Sequence, residues 1–168
     1  MYLTDKIKKL TLLSIFTVIA LVIGAAELYI PFLPGLPGIK LGVSNIVILT
    51  AVYFFGFKEA LTVAVLKVLL LTFMFGNGSS FIYSFAGSIS AVAIMGILKN
   101  FSCFSPVGVS MAGSFFHVTA QMICSFLILK SKYIFSYYPV ILFCSVITGF
   151  ITGIVAKLII ERKDKLKC

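Results

Sequence analysis

Three ionisable side chains, Glu27, Lys67 and His117, lie within long apolar stretches of this sequence. An ionisable group at the centre of a lipid bilayer costs roughly 2.5–3.5 kcal/mol on insertion scales, so each is a candidate functional residue. Asn45 and Gln121 are neutral polar residues in similar surroundings, and Gln121 follows His117 by one helical turn on the same helix face. A cation and an imidazole in one pocket favour a small ligand with an anionic or carbonyl group.

A loop rich in proline and glycine, Tyr29–Lys40, precedes Asn45. Proline fixes φ and glycine relaxes it, so a helix cannot continue through this loop. Lys40 ends the loop, and Ser44 and Asn45 follow it, which places polar side chains just inside the mouth of the next helix. The predicted substrate-binding residues are therefore Glu27, Lys40, Asn45, Lys67, His117 and Gln121.

The composition is that of a membrane protein. Hydrophobic residues make up 61% of the 168 residues, charged residues 11%, and the mean hydropathy is +1.16, whereas soluble domains carry about 25% charged residues. The apolar runs are continuous, so they do not fit the alternating pattern of a transmembrane barrel. We expect an all-α polytopic protein of the cell membrane, with one integral membrane domain over residues 1–168.

Six apolar stretches are each long enough to cross a hydrocarbon core of about 30 Å with modest tilt or thinning. They cover residues of about 10–30, 41–57, 60–75, 80–98, 107–129 and 140–160. With both termini cytoplasmic, ten lysines and arginines lie inside, three lie outside, and Lys67 lies within a span. This distribution agrees with the positive-inside rule.

The depths of the polar residues suggest a funnel that is open to the outside. Lys67 lies about eight residues, or roughly 12 Å, from the cytoplasmic end of the third span, and His117 lies near the midplane of the fifth. Glu27 and Asn45 lie in the outer half. The cytoplasmic half has few polar residues, which argues against a proton wire and for a pocket that opens outward.

Each of these residues also has a purely structural interpretation. Lys67 can extend its ammonium to the nearer membrane surface. His117 and Gln121 can form an interhelical hydrogen-bond pair that serves packing. Glu27 can lie among lipid headgroups, and Asn45 can cap the outer end of the second span.

Small residues recur every three or four positions on three spans, a spacing that permits close approach of helices within the chain or with a partner subunit. They are Ser14, Thr17, Ala20 and Gly24; Gly87, Ser88 and Ala91; and Gly149 and Gly153.

No motif for catalysis, metal binding, a cofactor or nucleic acid is visible. The sequence lacks paired carboxylates, a nucleophile with a base and a phosphate-binding glycine loop. Its only aspartates, Asp5 and Asp164, lie in the basic terminal segments, and the four cysteines have no paired spacing. The net charge of +9 reflects topology signals rather than a nucleic-acid surface. We therefore expect a protein that is not an enzyme by itself.

Five stretches of the chain carry a resemblance to a known family: PFLPGLPGIKLGVSNIVILTAVYFFGFKEAL, LKVLLLTFMFG, FIYSFAGSISAVAIM, SMAGSFFHVTAQ and VITGFITGIVAKLI. They resemble the Gx transporter family, whose members are labelled heptaprenyl diphosphate synthase component I. The family tends to have arginine at the position of Lys67, and asparagine and glycine at the positions of Val118 and Ala120. The family is in turn similar to the six-helix S components of energy-coupling factor transporters.

This resemblance implies a membrane-embedded subunit that binds a small molecule for uptake and depends on ATPase and transmembrane coupling subunits for energy. The alternative is an accessory subunit without catalytic activity, acting in heptaprenyl diphosphate and menaquinone synthesis or in quinone-linked electron transfer. The label of synthase does not agree with the absence of the aspartate-rich metal motifs that prenyl-diphosphate chemistry uses.

Overall fold

The computed structural model describes residues 2–29, 42–75, 78–101 and 103–165. These residues form an all-α bundle of six helices. The helices are α1 (Tyr2–Tyr29), α2 (Asn45–Phe55), α3 (Phe57–Phe75), α4 (Gly78–Leu98), α5 (Pro106–Leu129) and α6 (Ile134–Lys165). Lys40 and residues 30–39 of the predicted loop lie outside the described residues.

The second helix is shorter than the apolar stretch that predicted it. α2 has 11 residues, which makes it about 16 Å long, although residues 41–57 are apolar almost throughout. Gly42 before the helix and Gly56 after it have φ of +79° and +105°, and this backbone region favours glycine. α1 and α6, with 28 and 32 residues, extend beyond the predicted spans because they continue through lysine-bearing ends.

α2 is the central helix of the bundle and contacts each of the other five. Around it, α1 packs against α3, α3 against α4, α4 against α5, and α5 against α6. Among the described residues the backbones of α1 and α6 do not approach each other closely, and an apolar groove between them has α2 as its floor. The centre of the bundle is built from buried aliphatic residues of α2 and α3 such as Ile48, Leu49, Val52 and Val63.

Side-chain contacts show how the helix ends are grouped. At one end, Lys9 of α1 pairs with Glu59 at the start of α3, and the Lys99 ammonium donates to the Val52 carbonyl near the end of α2 at 2.7 Å. At the opposite end, Glu27 of α1 contacts the residues that precede α2. Successive helices in α1 to α4 therefore run in alternating directions.

The glycine-containing faces are used within the chain. A Cβ on Gly153 would lie 2.8 Å from the Val107 Cα of α5, and a Cβ on Gly149 would lie 3.0 Å from the Met111 Cα. Without side chains at these positions, α5 and α6 approach closely enough for Ser110 and Thr152 to share a hydrogen bond of 3.1 Å. Of the two alternatives left open by the sequence, packing inside the chain accounts for this pair of glycines.

Four helices in the described part of the chain are long and apolar enough to cross a membrane. Their candidate spans are Asp5–Glu27, Phe81–Leu98, Pro106–Leu129 and Ile134–Arg162. α2 is apolar but short, and the 19 residues of α3 include Lys58, Glu59 and Lys67. Large apolar side chains such as Phe73 and Phe143 are exposed on the outside of the bundle, as expected for a surface that faces lipid.

Candidate functional site

Polar side chains from four helices, α1, α3, α4 and α5, and from the segment that precedes α2 surround one cavity near the start of α2. The centre of a water molecule can reach about 10 Å³ of this cavity. A volume of about 10–15 Å³ on that measure is room for one water. The lining residues are Glu27, Gly42, Ser44, Lys67, Val68, Leu71, Ser84, Ser88, His117 and Gln121.

Glu27 lies near the end of α1 and reaches the N-terminus of α2. Its carboxylate accepts hydrogen bonds from the backbone N–H of Val43 and, at 3.0 Å, from the hydroxyl of Ser44. A carboxylate beside the first turn of a helix is favourable because the helix dipole places partial positive charge there. Glu27 therefore connects the end of α1 to the start of α2, and its carboxylate is directed at protein groups.

Lys67 lies on the inward face of α3, in a row of buried residues spaced three or four apart that includes Ala60, Ala64 and Leu71. Its side chain is only 4% exposed, and its ammonium donates to the Ser44 hydroxyl at 3.0 Å. The side chain thus lies inside the bundle and does not extend to a membrane surface. Through this hydroxyl, the Lys67 cation and the Glu27 carboxylate belong to one hydrogen-bonded chain.

His117 and Gln121 lie one turn apart on the buried face of α5, with exposures of 3% and 0%. The Nε2 atoms of the two side chains are 3.1 Å apart, which is a hydrogen bond within one helix. α4 approaches them closely at Gly87, where a Cβ would lie 2.8 Å from the Gln121 Cγ and 3.0 Å from the His117 Cε1. Gly87 therefore allows these two polar groups to pack between α4 and α5 beside the cavity.

Asn45 is the first residue of α2 and is 3% exposed. It does not line the cavity. Its Nδ2 is buried and has no hydrogen-bond partner among the described residues, and it lies 2.7 Å from the position that a Cβ on Gly42 would occupy. No side chain of the described residues caps α2: its first three N–H groups donate to the backbone carbonyls of Gly42, Val43 and Ser44.

Two lining residues of α4, Ser84 and Ser88, were not among the residues predicted from the sequence. Both are buried, and their hydroxyls have no hydrogen-bond partner within residues 2–29, 42–75, 78–101 and 103–165. Buried hydroxyls are normally hydrogen-bonded because burial without a partner is costly. These two hydroxyls therefore indicate that the cavity suits a polar group of a ligand. In the sequence, Ser88 appears only as part of the small-residue face with Gly87, and Ser84 lies one helical turn before it.

Of the six predicted site residues, four line the cavity: Glu27, Lys67, His117 and Gln121. Asn45 lies next to it, and Lys40 is outside the described residues. No group of three or more His, Cys, Asp or Glu side chains in the described ranges has the arrangement of a metal site. The chemistry of the cavity is thus that of several hydrogen-bond donors, one cation and one carboxylate.

The sequence model of one protein family, described as heptaprenyl diphosphate synthase component I, matches residues 16–159. No curated protein and no solved structure matches the chain. The matched range includes all six predicted site residues and the described lining residues of the cavity.

Proposed function

The chain belongs to the heptaprenyl diphosphate synthase component I family, and we propose that it is a membrane-embedded subunit that binds a small molecule. It crosses the membrane six times with both termini cytoplasmic. The single observation that supports this function best is the cavity at the start of α2, which gathers an ammonium, an imidazole and an amide. It also holds two serine hydroxyls, and these two have no hydrogen-bond partner among the described residues.

The energetic cost of this arrangement argues for a binding function. A charged residue within the membrane is costly unless it is paired or functional, and Lys67 is buried on the inward face of a helix that aliphatic side chains otherwise fill. A bundle that needed only to be stable would gain from apolar groups at these positions. The polar groups instead converge on one cavity, and this is how proteins build sites for small ligands.

The donor groups define the chemistry of the ligand. The Lys67 ammonium, the Gln121 amide, the imidazole of His117 and the hydroxyls of Ser84 and Ser88 all donate hydrogen bonds. They suit a ligand with an anionic or carbonyl group. Because the cavity itself accommodates about one water, the ligand inserts a small polar group there and its remainder lies toward the outside.

The partners follow from this role. The sequence has no nucleotide-binding motif, so uptake requires energy from other subunits. By the resemblance to S components, these are an ATPase and a transmembrane coupling subunit.

The second candidate function is that of an accessory subunit without catalytic activity in heptaprenyl diphosphate or menaquinone synthesis. The description of the matched family, which names a synthase component, favours it. This function predicts co-purification with a prenyltransferase or flavoprotein and no dependence on the cavity residues.

Thermal unfolding of the purified protein in detergent tests the leading proposal. We expect one member of a panel of vitamins, flavins and isoprenoids to raise the unfolding temperature, and Lys67→Ala and His117→Ala to abolish the increase. Lys58→Ala, at the opposite end of α3, is the matched control and retains the increase. If no compound stabilises the protein, or if the cavity variants respond like the original chain, the binding function is wrong.

Affinity purification from native membranes, followed by mass spectrometry, separates the two functions. ATPase and coupling subunits favour uptake, whereas a prenyltransferase or flavoprotein favours the accessory function.

A further inference from the structure

The N-terminus of α2 has the features of an anion site, and a carboxylate of the chain itself occupies it. The Glu27 carboxylate accepts from the Val43 N–H and from the Ser44 hydroxyl, and the Ser44 hydroxyl in turn accepts from the Lys67 ammonium. Backbone N–H groups in the turn that leads into a helix, beside a cation and the positive end of the helix dipole, suit a bound carboxylate or phosphate.

The position of this helix end matters. Because α2 has only 11 residues and contacts all the other helices, its N-terminus lies among the neighbouring helices rather than at a free end. Asn45 and Ser44 there are 3% and 2% exposed. A charged group at this point is therefore less screened by water than one at the surface.

A second observation points to a ligand in the cavity at the start of α2. Ser84 and Ser88 are more than nine-tenths buried, line the same cavity, and have hydroxyls without partners in the described part of the chain. Among the described residues, the Glu27 carboxylate accepts from Val43 and Ser44 and not from these two hydroxyls. A ligand with several acceptor oxygens can reach both the α2 N-terminus and these hydroxyls.

We propose that Glu27 is a built-in competitor for the ligand: an anionic group of the ligand, a carboxylate or a phosphate, binds at the N-terminus of α2 by displacing the Glu27 carboxylate. This inference rests on the proposed binding function and specifies its ligand chemistry. Two anions do not share the site, because like charges close together repel and the cavity accommodates only about one water beside Glu27. Displacement of the Glu27 carboxylate also breaks the contact between the end of α1 and the start of α2. Ligand binding and the loss of this contact therefore occur together.

The test compares the original chain with Glu27→Gln, with sodium acetate, phosphate and diphosphate as probes against sodium chloride at equal ionic strength. The concentration dependence of the unfolding temperature gives the affinity. We expect Glu27→Gln to bind at least one probe about tenfold more tightly than the original chain, because the competing charge at the helix N-terminus is gone. Adding Lys67→Met to Glu27→Gln abolishes this binding.

Two further variants keep the test decisive. Glu27→Asp keeps the charge but shortens the side chain, so we expect an anion affinity between those of the original chain and Glu27→Gln. This variant replaces Glu27→Gln in the test if Glu27→Gln does not fold. Glu59→Gln removes a carboxylate at the opposite end of the bundle and leaves anion affinity unchanged. Equal affinity of the original chain and Glu27→Gln, no binding by either, or binding that survives Lys67→Met would overturn the inference.

The inference and the proposed function can fail separately. A panel ligand that stabilises the original chain and Glu27→Gln equally leaves the binding function standing and removes Glu27 as a competitor. Tighter anion binding by Glu27→Gln, without a response to any panel ligand, supports the inference and counts against the larger ligand that we propose.

Discussion

The hydrogen-bonded chain from Lys67 through Ser44 to Glu27 predicts that the two charged residues are energetically coupled, although their charges are joined through a hydroxyl. A double-mutant cycle with Lys67→Met, Glu27→Gln and the double variant measures this coupling. Methionine matches the length and apolar stem of lysine, and glutamine preserves the shape of glutamate, so the changes remove charge rather than volume.

The structure sets the magnitude. Lys67→Met removes a charge-assisted hydrogen bond to a buried hydroxyl, which is worth about 1.5–3 kcal/mol. The Lys67→Met variant leaves Glu27 half-buried and still bonded to Val43 and Ser44. Removal of the buried cation also saves its desolvation cost. We therefore expect a net loss of stability of about 1–3 kcal/mol. Glu27→Gln loses about 1 kcal/mol, because an amide oxygen still accepts one of the bonds. The double variant is more stable than the sum of the two losses predicts by about 1–2 kcal/mol.

Unfolding by sodium dodecyl sulfate in mixed micelles, followed by far-UV circular dichroism, is the suitable assay because the chain contains no tryptophan. The exposed pair Lys157 and Glu161 on α6, with Nζ and Oε1 3.7 Å apart, provides the control cycle. Its coupling should be below about 0.5 kcal/mol, as for other surface pairs. The proposed coupling would be refuted if the stability losses of Lys67→Met and Glu27→Gln added up to that of the double variant. A Lys67→Met variant as stable as the original chain would refute it as well.

Three further predictions concern packing and pH. Gly87→Ala should cost about 1–3 kcal/mol by overpacking and also weaken ligand binding, because its Cβ would lie 3.0 Å from a backbone oxygen of α5 at the cavity. Gly153→Ala should cost a similar amount of stability, about 1–3 kcal/mol, but leave ligand affinity unchanged. Gly78→Ala, whose Cβ would meet nothing within 4 Å, is the control for both variants. A Gly87→Ala protein with normal stability and ligand affinity would contradict the close packing of α4 against α5. The hydrogen bond from Lys9 lowers the pKa of Glu59. This pair therefore stabilises the fold fully at pH values above the pKa that Glu59 has in the unfolded chain. The stabilisation disappears as the pH falls through the lowered pKa of the folded protein. The difference in unfolding temperature between the original chain and Glu59→Gln should therefore be constant near neutral pH and vanish in acid; a difference that grows in acid would reverse the assigned sign.

The sequence predicted the buried ionisable residues for a clear physical reason. Lipid penalises Lys67 and His117 strongly wherever they lie in a span, so their presence in apolar runs was informative before any contact was known. The spacing of His117 and Gln121 also indicated a shared helix face, and the structure has them in contact.

The hydroxyl groups of the cavity carried no comparable signal. Serine is tolerated inside membrane helices because its hydroxyl can bond to a carbonyl of its own helix, so Ser84 and Ser88 resembled ordinary packing residues. Only the geometry of α4 against α5 reveals that these two hydroxyls lie at a cavity without a partner among the described residues.

The role of Glu27 depended on the length of α2, which the apolar pattern did not indicate. Hydropathy is continuous from residue 41 onward, but the left-handed backbone at Gly42 delays the helix until Asn45. The contact between Glu27 and the start of α2 joins residues 16 positions apart across the proline loop. Such a contact follows from the path of the chain, which local propensity does not determine.

Native mass spectrometry of the protein isolated from its own membranes in a mild detergent tests the central claim most directly. We expect the original chain to carry one small molecule of defined mass with an anionic or carbonyl group, and the Lys67→Ala and His117→Ala variants, isolated in the same way, to lack it. An original chain that carries no such molecule, or variants that retain it at the same occupancy, would contradict the claim that the polar cavity at the start of α2 is a ligand site.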